Sequence, residues 1–272
     1  MRLDVPTPTL PAGCLVRALR PADTARTARL HRRLLPNGLF PRLGQAFVRR
    51  WHRTFLDTPA ALGLGVVRSG EVVAFVLVTL DQRLYLRHVL RTHRTALLWR
   101  GALGLLVRPA VLVRFLRTRV RAYARHLLPR RLRAGAAAQA GPAPGPDGTP
   151  RPGRRVRVAV VHAVVTVPGA RGLGLARALL ETAVAAAAAA RADHVALVTD
   201  CSDPDLGLPP EGAAAMYERL GWTRAEVRRH RDGRWVAEYR LPLARVTTPG
   251  TVLDLTAGSA PVGADGRPEG RA

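Results

Sequence analysis

Apolar and polar positions follow two different periods in the first eighty residues of the chain. Alternating or continuous β-branched sequence predicts strands, whereas apolar residues three and four positions apart predict amphipathic helices. The dipeptide Ser69-Gly70 between two β-rich runs is typical of a two-residue hairpin turn, and Pro36-Asn37-Gly38 separates two helices. The predicted elements are a strand over 14–19, helices over 23–35 and 41–56, and hairpin strands over 61–68 and 71–80.

A second block of regular pattern lies between residues 156 and 241. A run of β-branched residues from Val156 predicts a strand that ends at Pro168, and a glycine-containing loop and a long apolar helix follow it. The chain is therefore predicted to be an α/β protein. The further elements of this block are a helix over 172–191, a strand over 195–199, a short helix and a closing hairpin over 222–229 and 234–241.

Composition excludes several classes of protein. The chain has 272 residues, of which 47% are hydrophobic and 23% charged, so it can bury a core and is not wholly disordered. It contains no long uncharged apolar run and begins without an apolar segment of signal-peptide length, so we expect a cytoplasmic protein with no transmembrane span. Cys14 and Cys201 alone cannot form a zinc site or a disulfide framework, so we expect no metal.

The formal net charge of +24 has a compositional and a local component. All 43 basic residues, Lys and Arg counted together, are Arg. A GC-rich genome favours the codons of Arg over those of Lys, so this choice by itself indicates no ligand. The scarcity of acids is local, because no Asp or Glu occurs from Gln82 to Pro146, where fourteen Arg occur. We interpret 83–133 as a basic helical insertion, 134–153 as a flexible linker and 258–272 as a disordered tail.

The basic insertion over 83–133 has three interpretations. Its helices pack on the domain, or they lie on an anionic membrane with Arg stems around an apolar face, or they bind nucleic acid or another polyanion. Sparse aromatic residues weaken the single-stranded nucleic-acid interpretation. Those residues are Tyr85, Trp99, Phe115 and Tyr123.

The succession of strand, glycine loop and helix after residue 156 is a geometry that holds phosphate. Glycines allow the backbone to approach an anion, and unpaired amides of the first helical turn point toward it. The loop lacks the full G-x-G-x-x-G of a dinucleotide site and the Gly-Lys-Ser/Thr ending of a P-loop.

This segment resembles the GNAT superfamily of acyl-CoA-dependent N-acetyltransferases. The family fingerprint Arg/Gln-x-x-Gly-x-Gly/Ala is met by Arg171, Gly174 and Ala176, and the run from Ala214 to Trp222 is similar to the family's Phe/Leu-Tyr-x-x-x-Gly-Phe. The clear resemblance covers 156–241, and we assign the whole domain to 14–245. It implies a mixed, mostly antiparallel sheet flanked by helices, here with the basic helical insertion.

The resemblance also implies roles for individual residues, with acetyl-CoA as co-substrate. Backbone groups at Val165 and Val167 would pair with the pantetheine arm, and Tyr217 would protonate the departing thiolate. Backbone amides of the loop would bind the CoA pyrophosphate; these belong to Arg171, Gly172, Leu173, Gly174, Leu175 and Ala176.

His162 is a candidate general base by its own chemistry. It is the one imidazole of the strand before the loop, its unperturbed pKa near 6.5 suits proton removal at neutral pH, and strand alternation predicts a face shared with Val160 and Val164. The alternative is that His162 is a packed or surface residue without a catalytic role. For Tyr217 the alternative is an aromatic residue of the core. One other feature leaves alternatives open. Asp200, Asp203 and Asp205 follow a strand end, where they would attract a cationic amine or form a solvated loop.

The resulting hypothesis is transfer of an acetyl group from acetyl-CoA to a primary amine by direct attack in a ternary complex. Pro210 stands where the resembling family often has a CoA-contacting Asn, which favours a non-catalytic acyl-CoA-binding module as an alternative. The other alternative is a protein that binds a membrane surface or polyanion through 83–133.

Overall fold

The computed structural model describes residues 3–4, 10–107, 156–207, 209–230, 233–243 and 252–253. The predicted linker over 134–153, the tail over 258–272 and the second half of the insertion over 108–133 lie outside these residues. The helices are α1 (Thr24–Leu34), α2 (Leu39–Arg42), α3 (Gln45–Arg53), α4 (Gln82–Thr92), α5 (Arg94–Leu106), α6 (Leu175–Ala189) and α7 (Gly212–Arg219). The strands are β1 (Leu3–Asp4), β2 (Cys14–Ala18), β3 (Ala61–Arg68), β4 (Glu71–Thr79), β5 (Val158–Thr166), β6 (His194–Cys201), β7 (Thr223–Arg229), β8 (Trp235–Pro242) and β9 (Val252–Leu253).

Seven strands form one sheet in the order β2-β3-β4-β5-β6-β8-β7, and β1 pairs separately with β9. Only β5 and β6 pair in parallel, and every other neighbouring pair is antiparallel. This arrangement confirms the predicted mixed, mostly antiparallel sheet flanked by helices. No helix in the described part of the chain is long and apolar enough to cross a membrane.

Two apolar cores cover the two faces of the sheet. One core joins the sheet to α6 and α7 through residues such as Leu179 and Val76, and the other joins it to α1 and α3 through Val48, Phe55 and Phe75. Because β4 has a core on each side, its sequence is apolar almost without interruption.

The sheet opens between its two parallel strands. β5 and β6 pair only from Val158 opposite His194 to Val161 opposite Leu197. Beyond this point β5 continues to Thr166 alongside β4, while β6 continues to Cys201 alongside β8. The strands therefore diverge, and among the described strands none pairs there with the backbone of β5 that faces the gap.

A β-bulge at His162 reverses the side-chain alternation of β5. Ala163 lies opposite Leu77 and Val161 lies opposite Val78, so His162 has no opposite residue on β4. Before the bulge Val161 packs in the core with α6, and after it Val165 packs in the core with α1 and α3. The predicted common face of His162 and Val164 is therefore wrong, because the bulge interrupts the period of two.

The helix predicted over 41–56 is divided. α2 ends at Arg42 and α3 begins at Gln45, with Gly44 between them at φ 103°. That conformation favours glycine and ends the first helix.

A chain of buried polar side chains links α1 to α3. Thr27 Oγ1 lies 2.9 Å from His52 Nδ1, and His52 Nε2 lies 3.2 Å from His31 Nδ1. Burial lowers the pKa of His31 to about 4 and holds the pKa of His52 well below its usual 6.5. Both imidazoles are therefore neutral in the folded protein at pH 7.

We expect acid to destabilise the fold through these imidazoles. Unfolding returns each pKa to about 6.5, so the unfolded chain binds more protons below that pH, and stability present above pH 6.5 falls as pH drops toward 4. One histidine with a folded pKa near 4 accounts for about 3 kcal/mol at most. Urea unfolding at successive pH values measures this loss. His31→Leu should flatten the slope and His194→Leu at the start of β6 should not, whereas equal stability of the wild type at pH 7.5 and pH 5 would contradict the account.

Candidate functional site

The loop between β5 and α6 is held in a conformation that requires glycine. One 3-10 turn over Pro168–Ala170 leads into it, and Gly172 and Gly174 then take left-handed φ values of 78° and 74°. A Cβ added at either glycine would meet no atom within 4 Å. The space above the loop is therefore open.

The N-terminus of α6 opens onto that space. The helix has 15 residues and Gly174 is its N-cap; no side chain among the described residues caps it, and no acid lies in its first turn. The first amides of such a helix carry partial positive charge and have no intrahelical partners, so they attract an anion.

A crevice of about 940 Å³ surrounds this helix end. Arg171, Arg177 and Arg219 line it, and the described lining residues include no Asp or Glu. The electrostatic field in the crevice therefore favours a negatively charged ligand. The wall is completed by the strand β5, the helix α7 and the end of α1, through residues including Val164, Val165, Thr166, Leu175, Ala176, Gly212, Met216, Leu34 and Leu35.

The backbone of β5 differs from the prediction for Val165 and Val167. Val167 N–H donates to Val73 O at 2.9 Å, and Val167 O accepts from Ala170 N at 2.9 Å, so both groups are already bonded. Val165 pairs with Phe75, and strand alternation directs its backbone toward β4 as well. The backbone groups that face the gap belong instead to Val164 and Thr166.

Thr166 also presents an unpaired hydroxyl. Its Oγ1 is buried and has no hydrogen-bond partner among the described residues. A buried hydroxyl is normally bonded, so this atom is suited to a ligand lying in the crevice.

Tyr217 lies in the same crevice, on α7. Its side chain is 6% exposed, and its ring packs 5.8 Å from each of the rings of Trp222 and Tyr239. Burial raises the pKa of Tyr217 to about 12. The phenol therefore keeps its proton at neutral pH and can donate it.

His162 is not among the residues that line the crevice. It packs 5.2 Å from the ring of Phe55, and its Nε2 lies 3.2 Å from Gln82 Oε1, on the face that carries α1 and α3. Burial lowers the pKa of His162 to about 4, which makes it a weak base. The structure thus brings Tyr217 and the glycine loop together but leaves His162 apart, and its catalytic role stays a hypothesis.

The loop after α1 contacts the end of β6, a contact that sequence reasoning missed. Asn37 Nδ2 donates to Asp200 Oδ2 at 2.8 Å, and Asp200 also pairs with Arg234. These partners are far apart in sequence, so no local pattern indicated them. Leu34 and Leu35 were missed as crevice residues too, although their place at the end of a predicted helix was the available signal.

The remaining candidate residues have local structural roles. Asp203 accepts from Asp205 N at 3.0 Å and so caps a 3-10 turn. Burial raises the pKa of the Cys201 thiol, which disfavours a thiolate nucleophile. Pro210 precedes α7 and does not line the crevice. No group of three metal-binding side chains is found among the described residues.

A comparison with models of protein families finds a match over the segment that contains the glycine loop. Residues 138–222 match the model of the Acetyltransferase (GNAT) family. Among curated proteins, none matches the chain significantly.

Solved structures with a similar arrangement share little sequence with this chain. An N-acetyltransferase of ribosomal protein S18 alanine from Escherichia coli is 14% identical, with 84% of this chain and 93% of that chain covered at a TM-score of 0.44. A GNAT-family acetyltransferase from Streptococcus pneumoniae is 14% identical, with 85% and 99% covered at 0.46. An N-acetyltransferase from Staphylococcus aureus is 12% identical, with 85% and 99% covered at 0.48.

Proposed function

We propose that the protein, whose residues 138–222 match the model of the Acetyltransferase (GNAT) family, transfers an acetyl group from acetyl-CoA to a primary amine. One observation carries the donor assignment. The uncapped N-terminus of α6 opens through a left-handed glycine loop into a crevice lined by arginines and by no acid in its described part.

The pyrophosphate of the donor binds at the loop in this proposal. Amides from Arg171 to Ala176 hold its oxygens, and the open space at Gly172 and Gly174 admits them closely. The guanidinium of Arg171 adds charge-assisted hydrogen bonds from the rim.

The pantetheine arm follows the unpaired edge of β5 in this proposal. Val164 and Thr166 offer backbone groups there, since β6 has diverged from β5. Two amides of the arm then pair as an added strand would, and the free hydroxyl of Thr166 supplies a further partner. This places the thioester near Tyr217 and fixes its orientation.

Transfer proceeds by direct attack of the neutral amine on the thioester carbonyl. A nitrogen–carbon bond forms, the carbon–sulfur bond breaks, and the thiolate takes the proton of the Tyr217 hydroxyl. Water removes the proton released by the attacking nitrogen and restores the phenol. Positioning of two bound reactants supplies most of the acceleration, and the acid at Tyr217 supplies the rest.

Amine-dependent release of CoA tests this function. The purified chain, mixed with acetyl-CoA and a panel of small amines, amino sugars and peptide N-termini, should release free thiol only when a suitable amine is present. Donor binding without any thiol release over the whole panel would instead identify a non-catalytic acyl-CoA-binding module, the function that Pro210 favours.

A further inference from the structure

The helices α4 and α5 expose an unusual amount of apolar surface. Eight of the fourteen large apolar side chains exposed in the described part of the chain belong to these two helices or to the residue that follows α5. Soluble proteins seldom leave apolar side chains grouped in this way without an interaction partner. They are Leu84, Leu86, Leu90, Leu98, Trp99, Leu103, Leu106 and Val107.

On α5 most of these side chains form one stripe opposite the packed face. Gly101 turns toward Phe47 of α3, where an added Cβ would lie 3.5 Å from the ring, and Gly104 turns toward the backbone of Leu43. The helical period places Trp99, Leu103 and Leu106 on the other side, with exposures of 77%, 59% and 71%. We call these three residues the α5 stripe; Leu98, which is 63% exposed, lies between this stripe and the packed face.

Arginines accompany the α5 stripe. By helical period Arg100 falls on one edge of the stripe, and Arg94 lies one turn before Leu98 at the start of α5; both are exposed. On α4, Arg83, Arg87 and Arg91 are exposed between Leu84, Leu86 and Leu90. No acid occurs in residues 82–107, so every Asp, Glu, Lys or Arg that these two helices carry is a positively charged arginine.

This combination fits one class of partner better than the others. An anionic bilayer offers negative headgroups to the arginines and an apolar layer to the stripe at the same depth. Nucleic acid offers the charge but no apolar layer. A second copy of the chain offers an apolar stripe, but it would place its five arginines of α4 and α5 against the same five arginines of the first copy, and these charges repel.

We propose that α4 and α5 bind the protein to the surface of an anionic membrane. The α5 stripe enters the boundary between headgroups and acyl chains, Trp99 lies at the polar edge, and the arginines contact lipid phosphates. With 13 residues α5 is shorter than the about 20 that a transmembrane helix needs, so it lies along the surface. This proposal does not depend on the acetyl transfer proposed above.

Flotation of the full chain with lipid vesicles tests the proposal. We expect binding to phosphatidylglycerol vesicles at low salt, little binding to phosphatidylcholine vesicles, and weaker binding to the anionic vesicles at high salt. Trp99→Ser with Leu103→Ser should weaken binding tenfold or more, and Arg94→Gln with Arg100→Gln should weaken it by about thirtyfold. Leu206→Ser, an equally exposed leucine in the 3-10 turn after β6, should leave binding unchanged.

Four outcomes would overturn the proposal. The first three are no vesicle binding at low salt, equal binding to neutral and anionic vesicles, and full binding by the Trp99 and Leu103 double variant. The fourth is a wild-type protein that does not bind vesicles but self-associates, with the self-association abolished in the double variant.

Discussion

Gly174→Val is expected to reduce acetyl-CoA affinity by about a hundredfold or more while the protein stays folded. Gly174 is left-handed at φ 74°, a conformation that costs an L residue about 1–2 kcal/mol, and a β-branched residue is especially disfavoured there. The valine side chain would also occupy the open space in which the donor pyrophosphate is proposed to bind. Calorimetric titration of the variant with acetyl-CoA measures the loss.

Gly70→Val is the matched control for this variant. Gly70 also has a left-handed φ, of 80°, and an added Cβ there would meet no atom within 4 Å, but it lies in the turn between β3 and β4 and does not line the crevice. The control should lose a similar amount of stability and keep its affinity for acetyl-CoA. Unchanged affinity in Gly174→Val would remove the glycine loop from the donor site.

Tyr217→Phe is expected to lower kcat by about 10²–10⁴, the usual range for a general acid. The substitution removes the hydroxyl and keeps the ring that packs against Trp222 and Tyr239. Donor affinity should change little, because the loop and the β5 edge bind the donor. Steady-state kinetics with a saturating amine, together with the dissociation constant for acetyl-CoA, separates the two effects.

Tyr239→Phe provides the control for loss of a buried phenol. Its hydroxyl donates to Glu218 Oε1 at 2.8 Å, so the variant should lose about 1 kcal/mol of stability. Its kcat should stay near that of the wild type, since Tyr239 does not line the crevice. If Tyr217→Phe and Tyr239→Phe turn over at the same rate, Tyr217 does not act as the acid.

Sequence reasoning succeeded where the structural cause is local. The hairpin at Ser69-Gly70 depends on the backbone preferences of two adjacent residues and is confirmed. The helix predicted over 172–191 is present but begins at Leu175, because Gly172 and Gly174 are left-handed. The segment from 156 to 241 could be predicted in order, element by element, for the same reason.

Sequence reasoning failed where the structure depends on a local irregularity or on contacts between distant segments. The bulge at His162 cannot be read from a period of two, yet it decides that Val164 and Thr166, rather than Val165 and Val167, turn backbone groups to the gap. The contact of Asn37 with Asp200 joins segments that come together only in the folded chain.

Calorimetric titration of the purified protein with acetyl-CoA, with CoA alone as the comparison, tests the central claim most directly. The account predicts saturable binding of both molecules with dissociation constants in the micromolar range, since the crevice recognises the pyrophosphate and pantetheine that they share. Absence of heat from either ligand, in a protein whose circular dichroism shows it folded, would contradict the assignment of the glycine loop and the α6 N-terminus to the donor.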